Sequence, residues 1–216
     1  NVHRLDGSFT TNTLHYHKNS VREILTPDDK NLFAVSWDNT ASKYSISESM
    51  LQKTYQDEDM KTGNTCAIIL DQKYNNLVTG TYGSPEAKKE TICIFDITTG
   101  KLKNKYIFET ETDKSIDAVI WKEFIIIGGG CNSLHFIDRK TLEPVKSYMD
   151  ITNQGIRRIS VDEYNGKAYL SSDEGCLHSV ELKSGKTKSV KVSDRVLVRS
   201  EILNNKVFTI CFDGYL

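Results

Sequence analysis

The chain has 216 residues, 38% of them hydrophobic and 26% charged, with three prolines and a net charge of -1. That composition describes a folded globular chain rather than a disordered one. It also lacks the general surplus of Lys and Arg that phosphate neutralisation requires, which argues against wholesale nucleic-acid binding. No apolar stretch approaches the ~18 residues needed to cross a bilayer, so no membrane span is expected.

In chain order, the opening NVHRLDG reads as the remainder of a strand, and it shows no basic-then-apolar signal pattern. SVREIL, residues 20–25, is the first full strand; Pro27-Asp28-Asp29-Lys30 is its turn, and NLFAVS, 31–36, is a buried second strand. The corner Asp38-Asn39 leads into a third strand ending at Tyr44. NTCAIIL and NLVTGT follow, then TICIFD after the insertion GSPEAKKE, Gly83 to Glu90. Next come SIDAVIW, EFIIIGG and SLHFID, then GIRRISV, KAYLSS and CLHSVE. VRSEIL and KVFTIC close the series before the final FDGYL. Asp, Asn, Gly and Lys occupy the turns between them, and β-branched or alternating runs fill the strands, as tight antiparallel hairpins require.

These segments are copies of one unit. Strand ends recur at Leu5, Tyr44, Phe95, Ile137 and Val180, which gives a period of about 43 residues. Each unit holds a first strand, a buried second strand, a third strand beyond a polar corner and a polar fourth strand. Four-stranded units of that length are the blades of a β-propeller, and a blade must stack on its neighbours to bury both faces. The expected fold is therefore an all-β single propeller domain over residues 1–216. Its blade units are approximately 15–56, 64–108, 115–148, 155–192, and 197–216 joined with 1–14.

PDDKNLFAVSWDNTASKYSI, Pro27 to Ile46, resembles the WD40 repeat: a P-D-G-like turn, an apolar strand, an S-x-D-x-T corner, and then the place of the Trp-Asp pair. The resemblance covers essentially the whole chain with degenerate motifs, since Phe95-Asp96, Ile137-Asp138 and Leu5-Asp6 stand where Trp-Asp would. It implies a buried hydrogen-bond network of Asp38, Ser36 and either His15 or His17 in the first full unit. It also leaves two readings of the blade number: a ring of five blades closed through the termini, or part of a larger propeller, commonly seven-bladed in this family. By resemblance, the chain is expected to be a non-catalytic protein-protein interaction scaffold. It would be a subunit of a cytoplasmic or nuclear multi-subunit complex, with no cofactor and no small-molecule ligand.

The residues expected to contact a protein partner are Arg22, Trp37, Tyr82, Lys88, Lys89, Asp117, Arg157 and Arg158. Several lie on first strands, which line the central channel or its rim. Lys88 and Lys89 belong to the insertion that lengthens the second unit, and insertions of that kind enlarge one face of a repeat protein. The alternative is a propeller glycosidase or sugar-binding protein using Glu23, Asp117 and Glu201 as convergent axial carboxylates, with a stacking aromatic nearby. His3, His135 and His178 occupy equivalent positions in different units, so they are spread round the ring and no three-histidine metal site is expected. The five cysteines contain no C-x-x-C pair and read as free thiols of a reducing compartment. The basic run from Lys183 to Arg199 reads as a solvated edge strand. Trp121 reads as core, and the glycines 128–130 lack the Lys-Ser/Thr and helix of a phosphate loop.

Overall fold

A computed structural model describes residues 14, 16–83, 89–109 and 116–212. They form a propeller-like arrangement of five antiparallel sheets. The first sheet contains β1 (Val21–Leu25), β2 (Asn31–Ser36), β3 (Thr40–Ser45) and β4 (Met50–Tyr55). The second contains β5 (Gly63–Asp71), β6 (Asn76–Gly83), β7 (Lys89–Asp96) and β8 (Leu102–Glu109). The third contains β9 (Asp117–Trp121), β10 (Phe124–Gly128), β11 (Leu134–Asp138) and β12 (Pro144–Tyr148). The fourth contains β13 (Ile156–Asp162), β14 (Lys167–Ser172), β15 (Cys176–Glu181) and β16 (Thr187–Lys191). The fifth is the pair β17 (Leu197–Leu203) and β18 (Lys206–Cys211); of the remaining segments expected to complete it, 1–14 and 213–216, all but Leu14 lie outside the described residues. The strands of each sheet are paired in chain order, which is the simple meander that short turns permit.

Period-two alternation on the second strands explains how the sheets stack. Ile126 packs toward the fourth sheet with Ile156, Ile159 and Leu170, while Ile125 and Ile127 pack toward the second with Val78, Ile92 and Ile94. The continuous run FIIIG is thus two interfaces back to back, and its four residues from Ile125 to Gly128 are all buried. Phe33, Val35 and Tyr55 meet Ile68, Leu77 and Phe95 in the same way between the first and second sheets. Each fully buried Ile or Leu contributes on the order of 2 kcal/mol, so these three seams are the main stabilising element of the stack.

A recurring polar latch fixes the angle between neighbours. Tyr55, Tyr106 and Tyr148 occupy the same register on β4, β8 and β12, opposite Ala41, Ile92 and Leu134. Their hydroxyls donate to Ile97 O at 2.8 Å, to Leu142 O, and to Leu182 O at 3.0 Å, each in the third-to-fourth-strand turn of the following sheet. Burial pushes the Tyr55 phenol up to about 12. A bidentate pair adds a second tie between sheets two and three, with Arg139 Nε at 2.9 Å and Nη2 at 2.5 Å from the two oxygens of the fully buried Asp71.

The expected buried network in the first sheet is present, with His17 as the histidine. His17 Nδ1 lies 3.1 Å from Asp38 Oδ2 and its Nε2 lies 2.7 Å from Ser42 Oγ. Thr40 Oγ1 donates to Asp38 Oδ1 at 2.6 Å, and Ser36 Oγ accepts from Asp38 N at 3.1 Å. His15 lies outside the described residues. The second sheet fills the same space with apolar groups. There a 3-10 turn, Glu58–Thr62, delivers the fully buried Met60 against Cys93 and Thr79.

Of the basic run, only Lys188 and Lys191 fall on β16, which is exposed from Lys188 to Lys191 as expected of a solvated edge; Lys183 and Lys186 precede that strand, Arg195 follows it, and Arg199 belongs to β17 instead. Trp121 is 4% exposed and belongs to the core. No helix among the described residues is long and apolar enough to cross a membrane.

Candidate functional site

The innermost strands β1, β5, β9, β13 and β17 contact one another in succession, and one cavity of about 200 Å³ is lined from all five sheets. Its lining takes two consecutive residues from each of the five sheets. These are Arg22 with Glu23, Cys66 with Ala67, Ile116 with Asp117, Arg157 with Arg158, and Val198 with Arg199. The cause is local. Pairing of β1, β5, β13 and β17 with their neighbours slips by one residue between Val21 and Glu23, Thr65 and Ala67, Ile156 and Arg158, and Leu197 and Arg199. The extra residue of each bulge, Arg22, Cys66, Arg157 or Val198, lines the cavity. A bulge bends its strand and re-aims a side chain, and here the same device recurs at one level of the axis.

An innermost strand has a sheet partner on one side only, so its other edge presents unpaired backbone groups to the channel. Carboxylates from the preceding sheet meet two of them. Glu23 Oε2 accepts from Ile68 N at 3.3 Å, and Asp117 Oδ2 accepts from Ile159 N at 2.7 Å. Arg158 joins these acids, with Nη2 at 2.8 Å from Glu23 Oε1 and Nη1 at 3.4 Å from Asp117 Oδ1. Asp117 is 3% exposed, and burial raises its carboxyl to about 6 even though Arg158 and the Ile159 amide pull it down. The guanidinium of Arg158 is held well above its ordinary value by Asp117 and Glu23 against the opposing effect of burial.

The expected contact residues therefore separate by role. Arg158 and Asp117 lie within the mouth and tie the first, third and fourth sheets together. Arg22 is exposed at the rim, with its guanidinium 4.6 Å from the centre of the Trp37 ring. Arg157 lines the cavity and pairs with Asp173. Tyr82 is half-buried, its hydroxyl accepting from Asn64 Nδ2 at 3.2 Å, and it is not among the lining residues. Lys89 is exposed at the start of β7, whereas Lys88 lies outside the described residues. Of the three alternative carboxylates, Glu23 and Asp117 come together on Arg158. Glu201 is exposed instead and pairs with Arg199 at 2.6 Å.

His135 and His178 sit in separate networks. His135 Nδ1 meets Ser147 Oγ at 2.8 Å and its ring stacks on Phe108, while His178 meets Ser189 and Glu174; His3 lies outside the described residues.

One contact between sheets is hidden from motif reading. Glu90, at the end of the insertion segment, is fully buried and accepts from Gly130 N at 2.7 Å, tying the second sheet to the third. The glycines 128–130 serve this contact, since a Cβ on Gly129 would lie 2.5 Å from Glu90 Oε2. Comparison with protein-family models and with curated proteins returns no match to this chain.

Proposed function

We propose that this chain is a non-catalytic interaction subunit, a divergent WD40-like propeller that takes a protein partner at its axial mouth within a cytoplasmic or nuclear complex. The observation that carries the reading is the division of labour at the mouth. Glu23 and Asp117 are engaged in holding blades through Ile68 N, Ile159 N and Arg158, while Arg22, stacked on Trp37, and Arg199 face outward. Arginine and tryptophan side by side on a rigid rim are the residue types that dominate protein interfaces. Free cysteines in a chain with every described thiol unpaired suit a reducing compartment.

The test is charge reversal at two exposed rim positions, Arg22→Glu with Arg199→Glu, in a tagged full chain. Quantitative capture from cells should lose at least one specific partner while the melting curve stays within a few degrees of wild type. A folded double variant that retains every partner at wild-type abundance overturns the proposal.

The glycosidase or sugar-binding reading keeps one point in its favour, the buried Asp117, its carboxyl raised to about 6, which stands with Glu23 on the same arginine, Arg158. Against it, both oxygens of Asp117 are already bonded, and the ten lining residues include no aromatic ring to stack on a sugar. Turnover of aryl glycosides by the wild-type chain that is abolished by Asp117→Asn would favour that reading over the scaffold.

A further inference from the structure

The corner between the second and third strands carries the same three-residue cluster in different chemical versions. By cross-strand register, Asp38, Thr40 and Ser42 of the first sheet correspond to Cys131, Ser133 and His135 of the third and to Glu174, Cys176 and His178 of the fourth. In the first sheet the cluster is a hydrogen-bond network completed by His17. In the third, two of the three positions offer metal donors, with Cys131 Sγ 3.6 Å from His135 Nε2. Among the described residues, only in the fourth are all three positions metal donors, and their ligand atoms lie within 4.8 Å of one another.

We propose that Glu174, Cys176 and His178 form a binding site for a divalent, borderline-soft cation of the zinc type. Cys176 and His178 are two apart on β15 and therefore project from the same face, and the turn at Gly175, with φ +74°, folds Glu174 back over them. Glu174 Oε1 stands 2.9 Å from His178 Nε2. Donors on a tetrahedral ion with bonds of about 2.0–2.3 Å lie roughly 3.3–3.8 Å apart, so the ion seats by parting the Glu-His pair and drawing the thiolate inward by about 1 Å.

The outer shell is already arranged for this. His178 Nδ1 lies 2.7 Å from Ser189 Oγ, which fixes the ring so that Nε2 points at the cluster. Asn153 Nδ2 donates to Glu174 Oε2 at 3.0 Å, leaving Oε1 directed inward. Charge balances as well. A divalent cation with a carboxylate, a thiolate and a neutral imidazole makes an uncharged assembly, which a largely buried site tolerates where a bare charge would be costly. Seating the ion releases one proton, that of the Cys176 thiol; the imidazole proton moves from Nε2 to Nδ1, where it donates to Ser189. Cys176 and Glu174 are half-buried, which provides the entry path. A Cys, His and carboxylate set selects zinc or cobalt over calcium or magnesium, whose preference is for oxygen ligands alone.

Cobalt(II) is the probe, titrated into the full chain under reducing conditions. One equivalent should produce thiolate-to-cobalt charge-transfer absorption, bleached by one equivalent of zinc(II). Cys176→Ser should abolish the absorption without unfolding the chain, because serine is the residue at the corresponding Ser133. Ser189→Ala should weaken binding about 10–100-fold. Wild-type protein gives a second readout: saturating zinc should slow alkylation of Cys176, located by peptide mass spectrometry, at least tenfold. Absence of the charge-transfer band on folded protein overturns the proposal, as does a band that survives Cys176→Ser and disappears with Cys131→Ser. Alkylation of Cys176 at an unchanged rate in zinc overturns it too.

Discussion

Replacing Asp117 by asparagine tests whether the axial carboxylate is a structural tie held at an energetic cost. The amide oxygen that the substitution introduces still accepts from Ile159 N, so the geometry at the top of β13 is kept while the buried charge is removed. The carboxyl is raised from 3.8 to about 6 in the folded chain. Because the folded value lies above the unfolded one, the acid's favourable contribution is complete below pH 3.8 and is lost as pH rises through about 6. From these two values the charged form costs about 1 kcal/mol at pH 4.5 and about 3 kcal/mol at pH 7.5. Asp117→Asn should therefore gain about 2 kcal/mol relative to wild type between those two pH values. Urea denaturation of both proteins across that range reads the difference directly, and charges elsewhere in the fold cancel in the comparison. A stability difference that is flat with pH, or that moves against the variant as pH rises, refutes the reasoning.

Other parts of the fold make separate predictions. Tyr55→Phe deletes one inter-sheet latch and should cost about 1 kcal/mol at neutral pH. The wild type should lose its advantage over that variant between pH 10 and 12 as the raised phenol ionises, and alkaline urea melts check this. Gly129→Ala places a methyl against the Glu90 carboxylate and should destabilise by about 1–3 kcal/mol. Combined with Glu90→Ala it should cost clearly less than the two single effects added together, and a double-mutant cycle in denaturant measures the coupling. His17→Leu strands the buried Asp38 and Ser42 partners and should cost about 1–3 kcal/mol, with faster amide exchange concentrated in β2 and β3.

The strands and their grouping into fours were legible because period-two patterning and turn chemistry agree: Asn39, Asn132 and Gly175, all at positive φ, mark the same corner in three sheets. The doubly buried second strands could be read from runs such as FIIIG, since both faces of each blade are covered. The bulges were not legible, for one extra residue in a strand leaves no compositional trace. Their consequence, the gathering of Arg22, Arg157 and Arg158 at one level with Glu23 and Asp117, emerges only from register. The tyrosine latch did leave a signal. Tyr55, Tyr106 and Tyr148 each fall eleven residues after the strand ends Tyr44, Phe95 and Ile137, but the polar surroundings of the fourth strands obscured it. Glu90 was hidden because a charged residue beside an insertion looks like surface, and its burial depends on glycines some forty residues away.

The axial mouth as partner surface is tested most directly by hydrogen exchange of the full chain, alone and saturated with a partner recovered in the capture experiment. Protection should concentrate at residues 20–23, 37–39, 155–158 and 197–200, which carry the rim and its bulges. Protection confined to the turns around Asn75, Gly100, Gly166 and Gly185, at the opposite ends of the strands, would contradict the account.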